Sequence, residues 1–269
     1  MTLSEKWAEL RRRNEAGLVA YLMAGHPTLE KSFENMRTLA ENGADFIEIG
    51  LPFSDPIADG PVIQEASNIG LANGADLDTV LAAARSMNGR VPLILMSYLN
   101  PLHRRGVNRV CRELKAAGFE GLIIPDLPAD EAGQWSAACR KAGPDLIFLA
   151  APTSPPDRLA KIAAASSGFV YCVSLTGTTG SRSAVAAGAE AFLRRMRGRT
   201  DKPLAVGFGV STPEHVKRFS RLADGVIVGS RIVRAAAEGE DIAALVRSLK
   251  NATRHGARPK IRVRRGGPR

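Results

Sequence analysis

The sequence predicts an α/β protein built as one (β/α)8 barrel, and three observations carry that expectation. Eight short apolar, β-rich runs recur along the chain, at residues 18–22, 45–49, 92–96, 121–124, 146–149, 169–173, 204–206 and 226–228. Stretches long enough for a helix and two short loops separate them, with no Pro/Ser-rich linker that would divide the chain. The length, 269 residues, suits a single barrel of about 250. The expected organisation is a barrel over residues 1–252, with an extra N-terminal helix and an extended loop after the second strand, followed by a basic, disordered tail over 253–269. A doubly wound open sheet is the runner-up. It would want a glycine fingerprint after the first strand, where this chain carries Ala24-Gly25-His26-Pro27.

Taken in order, the first fifteen residues, MTLSEKWAELRRRNE, mix charge into an amphipathic helical pattern and contain no apolar core of a signal peptide. The first two strands follow. The 47-residue interval between the second and third runs then holds a Pro/Gly/Asp loop and two helical stretches, 62–70 and 77–87. Pro61 suits a first helical position, and Thr212-Pro213-Glu214 opens a later helix in the same way. Asn42-Gly43, Ala117-Gly118 and Ala142-Gly143 stand before strands, where helix C-caps belong.

Composition narrows the class. With 45% hydrophobic and 24% charged residues the chain can bury a sizeable core and remain soluble. The three cysteines (Cys111, Cys139, Cys172) are odd in number and widely spaced, which reads as reduced thiols in a cytoplasmic protein, not a disulfide framework or zinc site. No run approaches the roughly 18 apolar residues of a membrane span. The net charge of +10 is a tail property: Arg254, Arg258, Lys260, Arg262, Arg264, Arg265 and Arg269 contribute seven of the 37 basic groups, and without them the balance is +3. Such a tail can bind nucleic acid by counterion release, but its Pro and Gly content without aromatics favours a solubilising role.

The chemistry is concentrated in residues 48–61, EIGLPFSDPIADGP. The apolar strand Phe46-Ile47-Glu48-Ile49 carries a carboxylate in its middle, and the loop presents two more, Asp55 and Asp59. A carboxylate in a buried strand is costly unless paired, hydrogen-bonded or protonated, and a raised pKa suits proton transfer near neutrality. Alternation with Ile47 and Ile49 leaves a solvated strand face as the alternative placement of Glu48. In a barrel the site lies at the C-terminal strand ends, and the last three strands end in glycine-rich turns: 176–181 (TGTTGS), 207–211 (GFGVS) and Gly229-Ser230. Glycines let backbone N–H groups approach a phosphate, and a helix beginning at Ser230 would aim its dipole at the anion. No lysine lies within a strand run, which argues against Schiff-base aldol chemistry, and His26, His103, His215 and His255 are scattered, with no metal-ligand spacing.

The string EIGLPFSDPIADGPVIQ resembles the signature of the tryptophan synthase α subunit family, and the resemblance extends over roughly residues 15–250. It implies a carbon–carbon lyase on a (β/α)8 barrel that cleaves indole-3-glycerol phosphate to indole and glyceraldehyde 3-phosphate. By it, Glu48 matches the acid/base glutamate and Asp59 the substrate-binding aspartate, which would accept the indole N–H. Residues 171–180 resemble the mobile active-site loop, with Thr179 closing over substrate onto Asp59. Gly180, Gly209, Gly229 and Ser230 would hold the phosphate, and Tyr21, Tyr98, Ile123, Tyr171 and Phe208 would line the indole pocket. Ordinary core packing is the alternative role for those apolar positions. Asp55, Asn100 and Asp126 resemble residues that face a β subunit, although loop capping also accounts for Asn100 and Asp126. The resemblance further implies no metal or organic cofactor on this chain, pyridoxal phosphate on the β subunit, and an α2β2 assembly. Two residues depart from the pattern. Tyr21 stands where Phe is frequent, adding a hydroxyl that needs a partner, and Thr178 stands where an apolar residue is frequent. Another phosphosugar barrel enzyme, or a nucleic-acid-binding barrel using the tail, are the competing functions.

Overall fold

The computed structural model describes residues 1–87, 89–173, 182–207 and 209–254. Nine parallel strands form one sheet: β1 (Gly17–Met23), β2 (Phe46–Gly50), β3 (Leu93–Met96), β4 (Phe119–Ile123), β5 (Asp145–Ile147), β6 (Leu149–Ala150), β7 (Val170–Val173), β8 (Leu204–Gly207) and β9 (Gly225–Val228). Their spatial order is β5-β4-β3-β2-β1-β9-β8-β7-β6. The two edge strands are consecutive in the chain and separated by Phe148 alone, so the sheet curls into a nearly closed (β/α)8 barrel whose fifth strand is split in two. The split lies inside the single run predicted over 146–149, and its cause is visible. Ser166 and Ser167 place their hydroxyls where strand carbonyls would accept: Phe148 N–H donates to Ser166 Oγ at 3.2 Å and Leu146 N–H to Ser167 Oγ at 2.8 Å. Side-chain acceptors thus replace part of the ladder.

Helices alternate with the strands: α1 (Leu3–Arg13), α2 (Leu29–Glu41), α3 (Pro61–Ala72), α4 (Leu77–Ser86), α5 (Leu99–Arg105), α6 (Val107–Ala116), α7 (Gly133–Ala142), α8 (Pro156–Ala165), α9 (Arg182–Arg197), α10 (Pro213–Ser220), α11 (Ser230–Glu238) and α12 (Ile242–Ala252). The expected punctuation is present. Pro61 opens α3, Thr212 caps α10 through His215 N–H, and Gly43, Gly118 and Gly143 take positive φ at or just beyond helix C-termini. None of the described helices is long and apolar enough to cross a membrane.

Alternation sorts the strand residues into two cores. Outward positions such as Leu18, Ala20, Ile47, Ile49, Leu95 and Val226 pack beneath the helices. Inward positions, Val19, Phe46, Ile94, Ile123, Ile147, Phe169, Ala205 and Ile227, fill the barrel together with Leu3, Trp7 and Leu10 of α1. That helix is the floor. Trp7 packs on Phe46 with the rings tilted by 33° and their centroids 4.4 Å apart, and meets Phe169 edge-on at 5.7 Å. Gly17 and Gly225 admit it: a Cβ on Gly225 would stand 2.5 Å from the Trp7 ring, and one on Gly17 2.8 Å. The barrel is therefore plugged at the N-terminal ends of its strands and open only at the other.

At the closed end Lys250 of α12 is buried against Asp45 (2.8 and 3.1 Å) and Glu15 (3.0 Å), tying the last helix to the start of β2. The docking continues past α12, since Thr253 is buried and Arg254 forms an isolated bridge with Glu15. Residues 255–269 of the basic tail lie outside the described residues.

Candidate active site

The open end holds a cavity of about 400 Å³, with Tyr21, Glu48, Met96, Tyr171 and Ile227 on its barrel side. Glu48 occupies an inward position of β2, opposite Tyr21 in the register with β1, while Ile47 and Ile49 on either side face the helices. Alternation thus puts the carboxylate inside the barrel, not on a solvated face. Glu48 is fully buried, and among the described residues neither carboxylate oxygen has a hydrogen-bond partner. Burial, reinforced by the negative charge of Asp59, pushes its pKa up to about 8. At neutral pH this is a carboxylic acid facing a cavity, a proton donor in waiting.

Asp59 comes from the loop between β2 and α3 and lines the same cavity. The loop is clamped at several points. Ser67 Oγ accepts from Phe53 N–H at 2.8 Å and donates to its carbonyl at 2.9 Å, Gln64 donates to the Asp59 carbonyl at 2.8 Å, and Phe53 stacks on Tyr98 at 5.2 Å. Tyr98 Oη donates to Asp59 Oδ2 at 2.9 Å and accepts Ala58 N–H at 2.9 Å. Burial raises the Asp59 carboxyl above the ordinary aspartate range, and the Tyr98 hydrogen bond pulls it back. Tyr98 itself is buried and is not part of the cavity wall; it acts on the cavity through Asp59.

Two further tyrosines flank Glu48. Burial first, then the nearby carboxylates, hold the hydroxyls of Tyr21 and Tyr171 protonated well above the usual phenol range. Both need a glycine opposite. A Cβ on Gly50 would lie 2.1 Å from Tyr21 Oη, and one on Gly207 2.6 Å from Tyr171 Oη. Among the described residues the hydroxyl of Tyr21 finds only Met23 Sδ, at 4.0 Å.

The far wall is polar and turn-rich. Gly209, Ser211, Gly229 and Ser230 line it, and α11 starts there with Gly229 as a cap that makes no side-chain hydrogen bond. The first amides of that helix are intrinsically unpaired donors, and the helix dipole favours an anion. Carboxylates at one end of the cavity and helix-terminal N–H groups at the other suit a substrate with a basic or N–H group at one end and a phosphate at the other.

Ile123 lies in the cluster filling the barrel above α1, below the cavity and not on its wall, so core packing is the role its surroundings give it. Thr179, Gly180 and Phe208, with Thr178, lie outside the described residues. Asp55 is exposed and accepts from Ser54 Oγ at 2.5 Å; Asn100 is exposed on α5. Asp126 accepts Leu99 N–H at 2.8 Å, capping α5, whose N-cap Tyr98 offers no side-chain cap. Met96, Ile227, Val62, Ile63, Arg231 and Arg234 also line the cavity and went unnoticed in the sequence. Period-two counting from Ile94 and Gly225 would have found the first two; the others belong to the opening turns of α3 and α11. Among the described residues no group of three or more His, Cys, Asp or Glu side chains is placed to hold a metal ion.

Fold and site together define a (β/α)8-barrel enzyme with a buried carboxyl facing an anion-receptive helix terminus. The family model described as tryptophan synthase alpha chain matches residues 7–258. The tryptophan synthase alpha chain of Methanosarcina mazei is 47% identical over 254 residues, 93% of each chain, and that of Roseiflexus castenholzii 46% identical over 234 residues, 86% of this chain and 90% of its own. Among solved structures, a chain of Mycobacterium tuberculosis tryptophan synthase superposes with a TM-score of 0.88 at 40% identity, covering 94% of this chain and 98% of that one. The alpha subunit from Legionella pneumophila gives 0.86 at 33%, covering 94% and 98%. The chain belongs to the tryptophan synthase alpha chain family, lyases that cleave indole-3-glycerol phosphate to indole and glyceraldehyde 3-phosphate.

Proposed function

We propose that this chain performs the family's cleavage with Glu48 as the proton shuttle and Asp59 as the partner of the indole N–H. The observation that carries the reading is the fully buried Glu48 carboxyl, without a hydrogen-bond partner among the described residues, protonated at neutral pH and facing the cavity. Glu48 protonates C3 of the indole ring, which makes the ring an electron sink with positive charge on its nitrogen. Asp59, held by Tyr98, stabilises that charge as it develops. The hydroxyl on the carbon attached to C3 then loses its proton to the Glu48 carboxylate. Its oxygen forms the aldehyde carbonyl, the C–C bond breaks, and the bonding pair returns to the ring. One proton is donated and one recovered, so glyceraldehyde 3-phosphate and indole leave Glu48 as it began. The phosphate rests against Gly209, Gly229 and Ser230, with Gly180 and the loop threonine Thr179 completing the enclosure and Phe208 the indole pocket in this reading.

The partner is a tryptophan synthase β subunit in an α2β2 assembly that receives the indole, and Asp55, Asn100 and Asp126 are assigned to the contact. Pyridoxal phosphate belongs to that subunit, and this chain needs no organic cofactor or metal. The division into a barrel over 1–252 and a basic tail over 253–269, and a cytoplasmic location, belong to the same reading. The test is indole release from indole-3-glycerol phosphate, with and without an added β subunit. Release that rises with the partner is expected. None under either condition would overturn the assignment and leave another phosphosugar as substrate.

A further inference from the structure

The cavity has a residue at its anion end that the cleavage chemistry has not used. Two arginines of α11, Arg231 and Arg234, line the cavity beside Gly229 and Ser230. Their situations differ. Arg231 is committed to Glu240 by two hydrogen bonds, of 2.9 and 2.6 Å, which neutralise it and turn its guanidinium toward the end of the helix. Arg234 is exposed and has no ion pair among the described residues. It lies one turn beyond Ser230, and helical side chains lean toward the N-terminus, so Arg234 leans back over the turn whose free amides open on the cavity. A helix terminus offers about half a positive charge and a phosphate monoester carries about −1.5 to −2, so neutral N–H donors leave most of the anion's charge uncompensated. The other titratable residues on the wall, Glu48 and Asp59, bring no positive charge to it.

We propose that Arg234 is a substrate-binding residue for the phosphate, a charge-assisted donor that supplements the backbone amides and sets which end of the substrate enters the cavity first. This rests on reading the cavity as the site of a phosphorylated substrate. It also separates the products: glyceraldehyde 3-phosphate keeps the group that Arg234 holds, whereas indole keeps nothing for it and is free to leave.

The experiment compares wild type, Arg234→Gln and Arg234→Lys in two assays, steady-state cleavage of indole-3-glycerol phosphate and calorimetric binding of inorganic phosphate. Arg234→Gln should raise KM roughly tenfold with kcat changed by less than about twofold, because the interaction exists in ground and transition state alike. Phosphate binding should weaken by a similar factor, and Arg234→Lys should recover part of it, as a point charge without the fork. Added salt should raise the wild-type KM more steeply than that of Arg234→Gln. An unchanged KM and unchanged phosphate affinity in Arg234→Gln, with wild type active, would overturn the role of Arg234 and leave the proposed function standing. A loss confined to kcat would overturn it as well. If wild type itself releases no indole, the function fails instead, and the phosphate titration of the three proteins still decides Arg234.

Discussion

Tyr98 Oη donates to Asp59 Oδ2 at 2.9 Å while accepting the backbone N–H of Ala58 at the same distance. One side chain at the end of the third strand thus holds both the carboxylate and the backbone of the loop after the second. Asp59 is only half-buried and its loop carries an exposed Ile57, so the Tyr98 bridge adds to the clamps from Ser67 and Gln64 a direct hold on the carboxylate itself.

Tyr98→Phe should therefore loosen the loop while keeping the ring stack on Phe53. The Ala58 N–H loses its acceptor, and the Asp59 carboxyl, no longer held down by the phenol, titrates higher. We expect kcat/KM to fall roughly tenfold or more and stability to fall by about 1–2 kcal/mol in urea unfolding, the scale of two lost, part-buried hydrogen bonds. Wild-type values for both would show that Asp59 is positioned by something else.

Glu48→Gln should abolish turnover by at least about 100-fold, since an amide cannot deliver the proton. The same substitution has a stability signature. A carboxyl whose folded pKa is raised, here from 4.5 to about 8, supports the fold fully below the lower value and loses that support as pH rises through the upper one. The amide does not titrate, so the variant should gain on wild type between those limits, by an amount on the order of a few kcal/mol. Parallel pH dependences of unfolding for the two proteins would contradict a buried acid. The wild-type kcat/KM should likewise decline above pH about 8 as the acid form is lost.

Gly50 and Tyr21 should behave as one unit. Gly50→Ala puts a methyl into the space of the Tyr21 hydroxyl, at a cost of about 1–3 kcal/mol and most of the activity. In a Tyr21→Leu background the same glycine change should cost much less, and a double-mutant cycle measures the coupling. Strict additivity would mean that the strand backbone, not the phenol, requires glycine.

Lys250→Met should be severe although it lies far from the cavity. Removing the ammonium leaves Asp45, already raised by burial against the pull of Lys250, with only Leu18 N–H at 2.8 Å among its described partners. Stranding one member of a buried pair costs about 3–5 kcal/mol. Asp45 then titrates higher still, so the deficit should be smallest in acid, where the carboxyl is protonated folded or unfolded, and widen toward neutral pH. Chemical denaturation across that range checks the sign.

Strand periodicity, helix punctuation and the glycine-rich strand ends are all readable in the sequence, because each is a local consequence of backbone conformation and of which side chains can be buried. The motif around Glu48 was legible for a related reason: a carboxylate within an apolar strand announces its own cost. The split of the fifth strand was not, since it depends on Ser166 and Ser167 reaching across from the next unit to satisfy Phe148 and Leu146. Nor were the glycines at 17, 50, 207 and 225 distinguishable from turn residues; they are required by Trp7, Tyr21 and Tyr171, side chains far away in sequence. A barrel of eight strand units, an embedded acid and a glycine-rich anion end follow from residue order alone. It took folding to leave Glu48 without a hydrogen-bond partner among the described residues, to hold Asp59 by Tyr98 rather than by a neighbour in the chain, to place Ile123 in the core, and to leave Arg234 without an ion pair among those residues while Arg231 is spoken for. Burial and hydrogen-bond pairing are properties of groups brought together by folding, and the pKa of a carboxyl or the availability of a guanidinium follows from that company, not from its place in the chain.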